Sequence, residues 1–462
     1  MDSRAAVPTR DHGRSVVGRS GAEGLTALSA SLTRVLDDKH LNSNLVFSPL
    51  SIYTAVALLA AGARGSTLQE ILSVLGVRSR GELDEFVARA AGDTLRDRSG
   101  SGGPRVAFAC GVWSDLSCPL KPGFREAVVD GAYRAEASTV DFRGDPNRAR
   151  QLINAWAAQV TNGLIEDVLG PGSVTRDTRV VLGNAVYFKG KWDLPFDKSA
   201  TKSALFRRLG GANPVDVPFM QSWKVQFVAV YDGFKMLKLR YKMLDALLKH
   251  DPKKPAPFFP RRAPLVNPDG CARAAPPPRH DSNNSSSMAS LNNNSHNFTS
   301  NSTQLSMCIF LPDADDGLRS LVEAIASSPS FLHQHLPRGK VDVRDFRVPR
   351  FKLSFHRSVV EILKKLGLQL PFSAAADLSD LTEDSQLLVD DVIHKAVIEV
   401  NEEGTEVSAV TILSMRPTGC ARPPPPHPRV DFVADHPFAY FIVEEETGAV
   451  VFAGHVLDPS RE

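Results

Sequence analysis

Apolar residues at helical and at alternating spacing divide the chain into an early part, where helices and long strands interleave, and a later part made mostly of strands. Leu25, Leu28, Leu32, Val35 and Leu36 recur every three or four positions, which predicts a helix ended by Asn42 to Asn44. The next helix follows FSPLS and carries the apolar run Tyr53 to Ala61. Ser66 and Gln69 have capping-box spacing ahead of Leu68, Ile71, Leu72 and Leu75, with Gly76 as the stop. Asp145 before Pro146 opens a helix carrying Leu152, Ile153, Trp156 and Val160, with Gly163 as its end. RVVLGNAVYF, Arg179 to Phe188, is apolar on both faces and predicts a strand central in a sheet.

From Lys224 onward KVQFVAVY, FKMLKLRY and LSMCIFLP predict strands, followed by a helix from Leu318 to Ala326. KVDVRDFRVPRFKLSF resumes the alternation, and Ser358 to Leu368 predicts a later helix. The C-terminal PFAYFIVEEETGAVVFAGHV reads as two apolar strands joined by an acidic turn containing Gly448. The pattern stops between Tyr241 and Gln304, where DPKKPAPFFPRRAP gives way to DSNNSSSMASLNNNSHNFTSNST. About sixty residues of this composition bury too little apolar surface to offset ordering, so disorder is expected at about 243–304. The strands on either side are able to pair as a hairpin across it, because loop closure costs roughly 0.6 kcal/mol per doubling of length. An unspliced intron is another source for such an insert.

At 462 residues, 42% hydrophobic and 23% charged, the chain has the composition of an ordinary globular protein. Its 54 basic and 52 acidic residues leave a net charge of +2, so neither a nucleic-acid nor a membrane-surface partner is expected. No run of 18 apolar residues predicts a membrane span. The charged N-terminus has no secretory pattern, so cytoplasmic residence is favoured, with extracellular or vacuolar release left open. On that reading, acceptor triplets such as Asn297 to Thr299 stay unmodified. Cys110, Cys118, Cys271, Cys308 and Cys420 are odd in number and scattered, without CxxC spacing, so thiols rather than a disulfide framework or a zinc site are expected.

Catalytic signatures are missing: the chain contains no GxSxG, HExxH or GxxxxGK[ST], and no GxGxxG after a strand. Neighbouring acids such as Glu402 with Glu403, or Glu444 to Glu446, are expected to point apart and into solvent rather than act as an acid/base pair. The 12 histidines form no ligand pair on a helix face, and His333 with His335, beside Pro337, is expected in surface loop. The basic stretch Lys249 to Arg262 reads as solvated linker.

Several stretches, taken together and in order, resemble the serpin family, and plant Z-type serpins in particular. They are NLVFSPLSIYTAVALLAAGARGST, LINAWAAQVTNGLIEDVL, VLGNAVYFKGKWDLPF, HKAVIEVNEEGTE and DFVADHPFAYFI, running from about residue 25 to 459. The resemblance implies an α+β serpin fold: a flexible tail at 1–22, then a single domain at 23–462 with about nine helices and three β-sheets. An exposed reactive-centre loop is implied at about 402–429. The implied function is inhibition of a serine or cysteine protease by a monomeric chain that is a suicide substrate, not an enzyme, and that needs no cofactor or metal. The alternative is a serpin-fold binding protein without inhibitory action.

The resemblance also implies site residues. Glu402, Glu403, Gly404, Thr405, Glu406, Val407, Ser408, Ala409, Val410 and Thr411 match the hinge. Counting as the family does from Glu402 puts the scissile bond at Thr418–Gly419. Arg416 and Arg422 each precede a proline, which makes a poor protease substrate, so a target that prefers small residues is expected over a trypsin-like one. Ser48, Ser51, Asn184 and His394 match the polar cluster that gates sheet opening, with His394 a hydrogen-bonded core residue rather than a catalyst. Trp192 and Arg350 match the point where insertion starts, and Glu402 is expected to pair with Arg350 there.

The loop residues allow a physical check. As an inserted strand of period two, Thr405, Val407, Ala409 and Thr411 would share one face, and none is charged, as burial requires. Gly404 gives the backbone freedom to swing. Val407 and Val410 depart from the alanines that inhibitory members favour, and their stiff side chains would slow insertion.

Overall fold

Nine α-helices and fifteen strands are found among the residues that the computed structural model describes, 16–243, 304–383, 387–403 and 429–462. The helices are α1 (Val16–Lys39), α2 (Pro49–Gly62), α3 (Gly65–Leu75), α4 (Arg80–Arg89), α5 (Pro122–Val129), α6 (Pro146–Val160), α7 (Leu318–Ser327), α8 (Phe331–Gln334) and α9 (Val360–Lys365). The strands up to the insert are β1 (Leu45–Phe47), β2 (Arg105–Asp115), β3 (Glu136–Val140), β4 (Val180–Lys189), β5 (Lys202–Phe206), β6 (Val215–Gln221), β7 (Phe227–Tyr231) and β8 (Phe234–Arg240). After it come β9 (Leu305–Pro312), β10 (Val343–Pro349), β11 (Phe351–Ser358), β12 (Asp391–Val400), β13 (Val430–Val433), β14 (Phe438–Glu444) and β15 (Val450–Val456). The described residues belong to one compact unit, and the second, Asp245–Ser302, lies outside them together with the expected disordered insert.

Three sheets organise these strands, in the orders β11-β12-β4-β2-β3, β1-β15-β14-β9-β8-β7 and β13-β10-β6-β5. The apolar run around Val180 becomes the middle strand of the five-stranded sheet, and nine of its ten residues are buried. Each buried Val, Leu or Phe there contributes roughly 1.5–3 kcal/mol. One face of this sheet carries α6, whose Ile153 and Ala157 pack with Trp113, Val181, Ala185, Ile393 and Val397. The opposite face meets the main core around α2, a helix apolar all round and therefore buried. Ser48 caps α2, accepting from the Ser51 N–H, and Pro49 occupies its first turn.

The hairpin expected across the insert is present: β8 and β9 pair antiparallel from Phe234 with Pro312 to Arg240 with Ser306. Asp145 accepts from the Arg148 N–H to open α6, and Gly76 closes α3 at φ 67°.

Four local expectations are corrected. The capping box at Ser66 and Gln69 does not form: α3 starts at Gly65, Arg64 is its cap, and no side chain caps it. The helix expected from Ser358 shortens to Val360–Lys365, because Ser358 stays in β11 and donates to Asp391, while Gly367 takes φ 99°. The acids do not all face solvent: Glu402 and Glu444 are buried, Glu444 accepting from the Glu446 and Thr447 N–H groups and Glu445 pairing with Lys238 and Arg240. His333 lies in α8 rather than in loop, and half-buried His335 stacks on Phe331.

Candidate functional site

A seam runs through the five-stranded sheet where β4 and β12 lie side by side and parallel. Their register runs from Val181 with Asp391 to Phe188 with Ile398. Below the seam, the Asp390 carboxylate accepts the N–H groups of Arg179 and Val180 at 2.6 and 2.8 Å. Above it, β12 leads through 401–403 into 404–428, which lie outside the described residues.

Halfway along the seam, Asn184 of β4 and His394 of β12 are register partners. Asn184 is a polar residue within an apolar stretch, His394 stands beside Lys395, and each is 1% exposed. A polar group so buried must find a partner. The Ser48 N–H donates to His394 Nε2 at 3.1 Å, so Nε2 carries no proton, and Nδ1–H donates to Asn184 Oδ1 at 2.7 Å. The ring is thereby fixed as one neutral tautomer, and burial pushes its pKa down to about 3. Asn184 Oδ1 also accepts from Ser51 Oγ at 2.7 Å, and Asn184 Nδ2 donates to the Ser51 carbonyl. Ser48 Oγ donates to the Val451 carbonyl at 2.5 Å. The centre of the seam is therefore tied to the cap of α2 by direct, neutral hydrogen bonds.

At the upper end the chemistry changes. Trp192 donates from Nε1 to the Asn401 carbonyl at 2.8 Å and from its backbone N–H to Glu403 at 3.4 Å, while the Phe196 N–H donates to Glu402 at 2.9 Å. The Glu402 carboxylate accepts from Thr201 Oγ1 at 2.7 Å and pairs with Arg350 at 3.5 Å. Lys198 pairs with Glu403. These charges line an open cleft of about 410 Å³ formed by Lys198, Thr201, Arg350, Asn401, Glu402 and Glu403.

The structure thus brings Ser48, Ser51, Asn184 and His394 into one cluster, and Trp192, Arg350, Glu402 and Glu403 into another. Gly404, Thr405, Glu406, Val407, Ser408, Ala409, Val410, Thr411, Thr418 and Gly419 lie outside the described residues. Sequence reasoning missed the partners that hold these clusters. Tyr241 stacks on Trp192 with ring centroids 4.6 Å apart, at the point where the insert begins. The connector between α6 and β4 is strapped over β12 and β11, with Lys395 Nζ donating to Asp167 and His356 Nε2 to the Val168 carbonyl at 2.7 Å. Asn154 holds the same connector by accepting from the N–H groups of Val168 and Leu169. For Asn154 there was a signal, a polar residue within a helix motif; Thr201, Lys198 and Asp167 carry none that distinguishes them from surface residues.

Among the described residues no helix is long and apolar enough to cross a membrane, and no cluster of His, Cys, Asp or Glu could hold a metal ion. A family model described as serpin (serine protease inhibitor) matches residues 23–249 and 280–459. Serpin-Z2A of rice (Oryza sativa subsp. japonica) is 44% identical over 454 residues, 95% of this chain and 97% of that protein. Serpin-Z2B of rice is 42% identical over 447 residues, 95% and 97% of the two chains. The solved structure of Arabidopsis AtSerpin1, described as a native stressed conformation, is 34% identical with a TM-score of 0.76, covering 97% of this chain and 100% of that one.

Proposed function

The chain belongs to the serpin family, and from that premise we propose that it inhibits a serine or cysteine protease as a suicide substrate. The proposed unit is one domain, 23–462, with residues 402–429 as its reactive loop. The observation that carries the reading is the parallel seam. β12 runs toward the loop, so a strand folding back from its end would lie antiparallel to both β12 and β4. Parting one parallel ladder would then create two antiparallel ones, the slightly more stable pairing per residue. Strand addition of this kind is the general behaviour for which serpins are a standing example. The stressed conformation described for the Arabidopsis relative supports reading the closed seam as the state before insertion.

In this mechanism the protease nucleophile attacks the Thr418 carbonyl, the Thr418–Gly419 bond breaks, and the Gly419 amine leaves with a proton while Thr418 stays esterified to the enzyme. The freed strand from Gly404 onward enters the seam with Thr405, Val407, Ala409 and Thr411 on one face. About ten new ladder bonds at a net ~1 kcal/mol each would release on the order of 10 kcal/mol, comparable with the stability of a whole domain. That release drags the tethered protease and distorts its oxyanion site, so deacylation stalls. In this scheme Ser48, Ser51, Asn184 and His394 gate the middle of the seam, and Trp192, Arg350, Glu402 and Glu403 hold the end that opens first.

The test is incubation with a panel of serine and cysteine proteases followed by denaturing electrophoresis. The expected result is a band at the summed mass of protease and cleaved chain. Clean cleavage without that band, and without a gain in heat stability, would instead support the second reading, a non-inhibitory binding protein. Val407 and Val410 favour that reading, because β-branched residues slow entry into the seam and give hydrolysis time to finish.

A further inference from the structure

The end of α1 meets the two larger sheets through titratable side chains that the seam does not use. His455, on β15, is 2% exposed, and Asp37, in the last turn of α1, is 7% exposed. His455 Nδ1 lies 2.9 Å from Asp37 Oδ1, and its Nε2 lies 2.9 Å from the Ser43 carbonyl oxygen, in the turn after the helix. A carboxylate and a carbonyl oxygen only accept, so both ring nitrogens donate, and an imidazole does that only as the doubly protonated cation. His394 is the opposite case, with one ring nitrogen donating and the other accepting. A buried cation needs a counter-charge, which Asp37 supplies.

His40 stands half-buried beside this pair. Its Nδ1 lies 3.2 Å from Ser43 Oγ, and its ring meets that of Phe355, on β11, edge-on at 5.8 Å. The Phe355 ring is in turn 5.9 Å from that of His394. Burial, then Arg357 of β11, His455 of β15 and Lys39 of α1, push the His40 pKa below its ordinary 6.5, and Asp37 opposes them. The neighbouring charges are already engaged: Asp38 pairs with Arg319 of α7, Lys364 of α9 with Glu361, and Asp458 with Arg208 and Arg461. One carboxylate therefore faces two imidazoles and balances the charge of one.

We propose that Asp37, His40 and His455 form a proton-operated clasp that holds the end of α1 on β15 and β11: the proton stored on His455 closes it, and a second proton, taken up by His40 in acid, opens it. Opening also takes a ring contact away from Phe355, beside the middle of the seam. His40 is held below its ordinary value only while the clasp is closed, so closure is complete above about pH 6.5 and weakens as pH falls toward the His40 midpoint. His394, with its pKa pushed down to about 3, stays neutral through the upper part of this range. The clasp does not rest on the inhibitory reading, and its readouts need no protease.

The experiment uses the full chain, with nitrogen-15 labelled histidine for NMR and with hydrogen exchange followed by mass spectrometry as pH is lowered from neutral. At neutral pH His455 is expected to show two protonated ring nitrogens and His40 one. On acidification, protection of the amides from Leu36 to Lys39, corrected for the intrinsic exchange rate, is expected to fall by up to about tenfold per pH unit, the limit for one linked proton. His40→Gln, which does not titrate, is expected to abolish that fall. Asp37→Asn is expected to lower the same protection at least about tenfold already at neutral pH and to leave His455 with one ring proton. His333→Gln, at an exposed position of α8, is the control and leaves the pH dependence unchanged. A single ring proton on wild-type His455 at neutral pH would overturn the proposal, as would an acid fall that persists in His40→Gln. A fall removed by His394→Asn and not by His40→Gln would assign the acid response to the centre of the seam and refute the clasp.

Discussion

The middle and the upper end of the β4–β12 seam are closed by opposite chemistry. At the middle, Ser48, Ser51, Asn184 and His394 are buried, neutral and joined by hydrogen bonds. At the upper end Lys198, Arg350, Glu402 and Glu403 are charged and border an open cleft. A buried neutral network loses the full desolvation energy of every group it leaves unpaired, roughly 1–3 kcal/mol each. An ion pair beside water exchanges one partner for another at almost no net change. In the proposed mechanism the seam stays shut yet opens in an ordered way, and this asymmetry would serve it: water could replace the bonds at the loop end one by one, whereas the centre would give way only when an entering strand supplied new partners.

The sharpest way to break the comparison is Asn184→Ala. It removes the acceptor shared by His394 Nδ1–H and Ser51 Oγ–H and the donor to the Ser51 carbonyl, and leaves a void in the sheet. The expected loss is about 3–5 kcal/mol, read as a drop in the urea midpoint at neutral pH. A loss under about 1 kcal/mol would mean that the centre is not the stronger lock.

Acid should weaken the same lock, and the sign follows from His394. Its folded pKa is lowered to about 3 from the ordinary 6.5, so the unfolded chain takes up the proton first as pH falls. The contribution of the neutral ring is complete above about pH 6.5, declines below it, and is gone near pH 3. Within that window the change is about 1.4 kcal/mol per pH unit. The difference in urea midpoint between wild type and His394→Asn should therefore shrink steadily from pH 6 to pH 4. A difference independent of pH over that range would mean that the ring is not held neutral.

Both ends of the seam were legible through the resemblance, which placed Ser48, Ser51, Asn184 and His394 at the centre and Trp192, Arg350 and Glu402 at the upper end, the Glu402–Arg350 pair among them. Asn184 interrupts the apolar run RVVLGNAVYF, and a lone polar residue in a buried run has to be answered by another, here His394. Ser48 and Ser51, three apart around Pro49, carry the signature of a helix cap. The other members of the upper cleft, Lys198 and Thr201, are polar residues in polar contexts where no periodicity marks burial. Acids adjacent in sequence read as solvated, yet Glu402 is buried because Trp192 binds the backbone on either side of it, the Phe196 N–H donates to the Glu402 carbonyl and Thr201 meets its carboxylate. The long runs gave away the strands, while the shortened α9 and the uncapped start of α3 depended on Asp391 and on Gly65, which local propensity does not weigh.

The smallest expected effect tests the upper end. Arg350 is about half exposed and its contact with Glu402 is 3.5 Å long, while Thr201 remains as a second partner for the carboxylate. Arg350→Gln should therefore lower stability by no more than about 1 kcal/mol at low salt. At 1 M salt, where the screening length falls to about 3 Å, the difference from wild type should nearly vanish. The Asn184→Ala loss should be unmoved by the same salt, since none of its bonds joins two charges. If the two variants respond alike to salt, the division of the seam into a neutral lock and an exchangeable latch is wrong. If they diverge, hydrogen exchange at the Phe196 amide, which donates to Glu402, should quicken in Arg350→Gln while the amides of β4 around Asn184 stay protected, placing the first opening at the loop end.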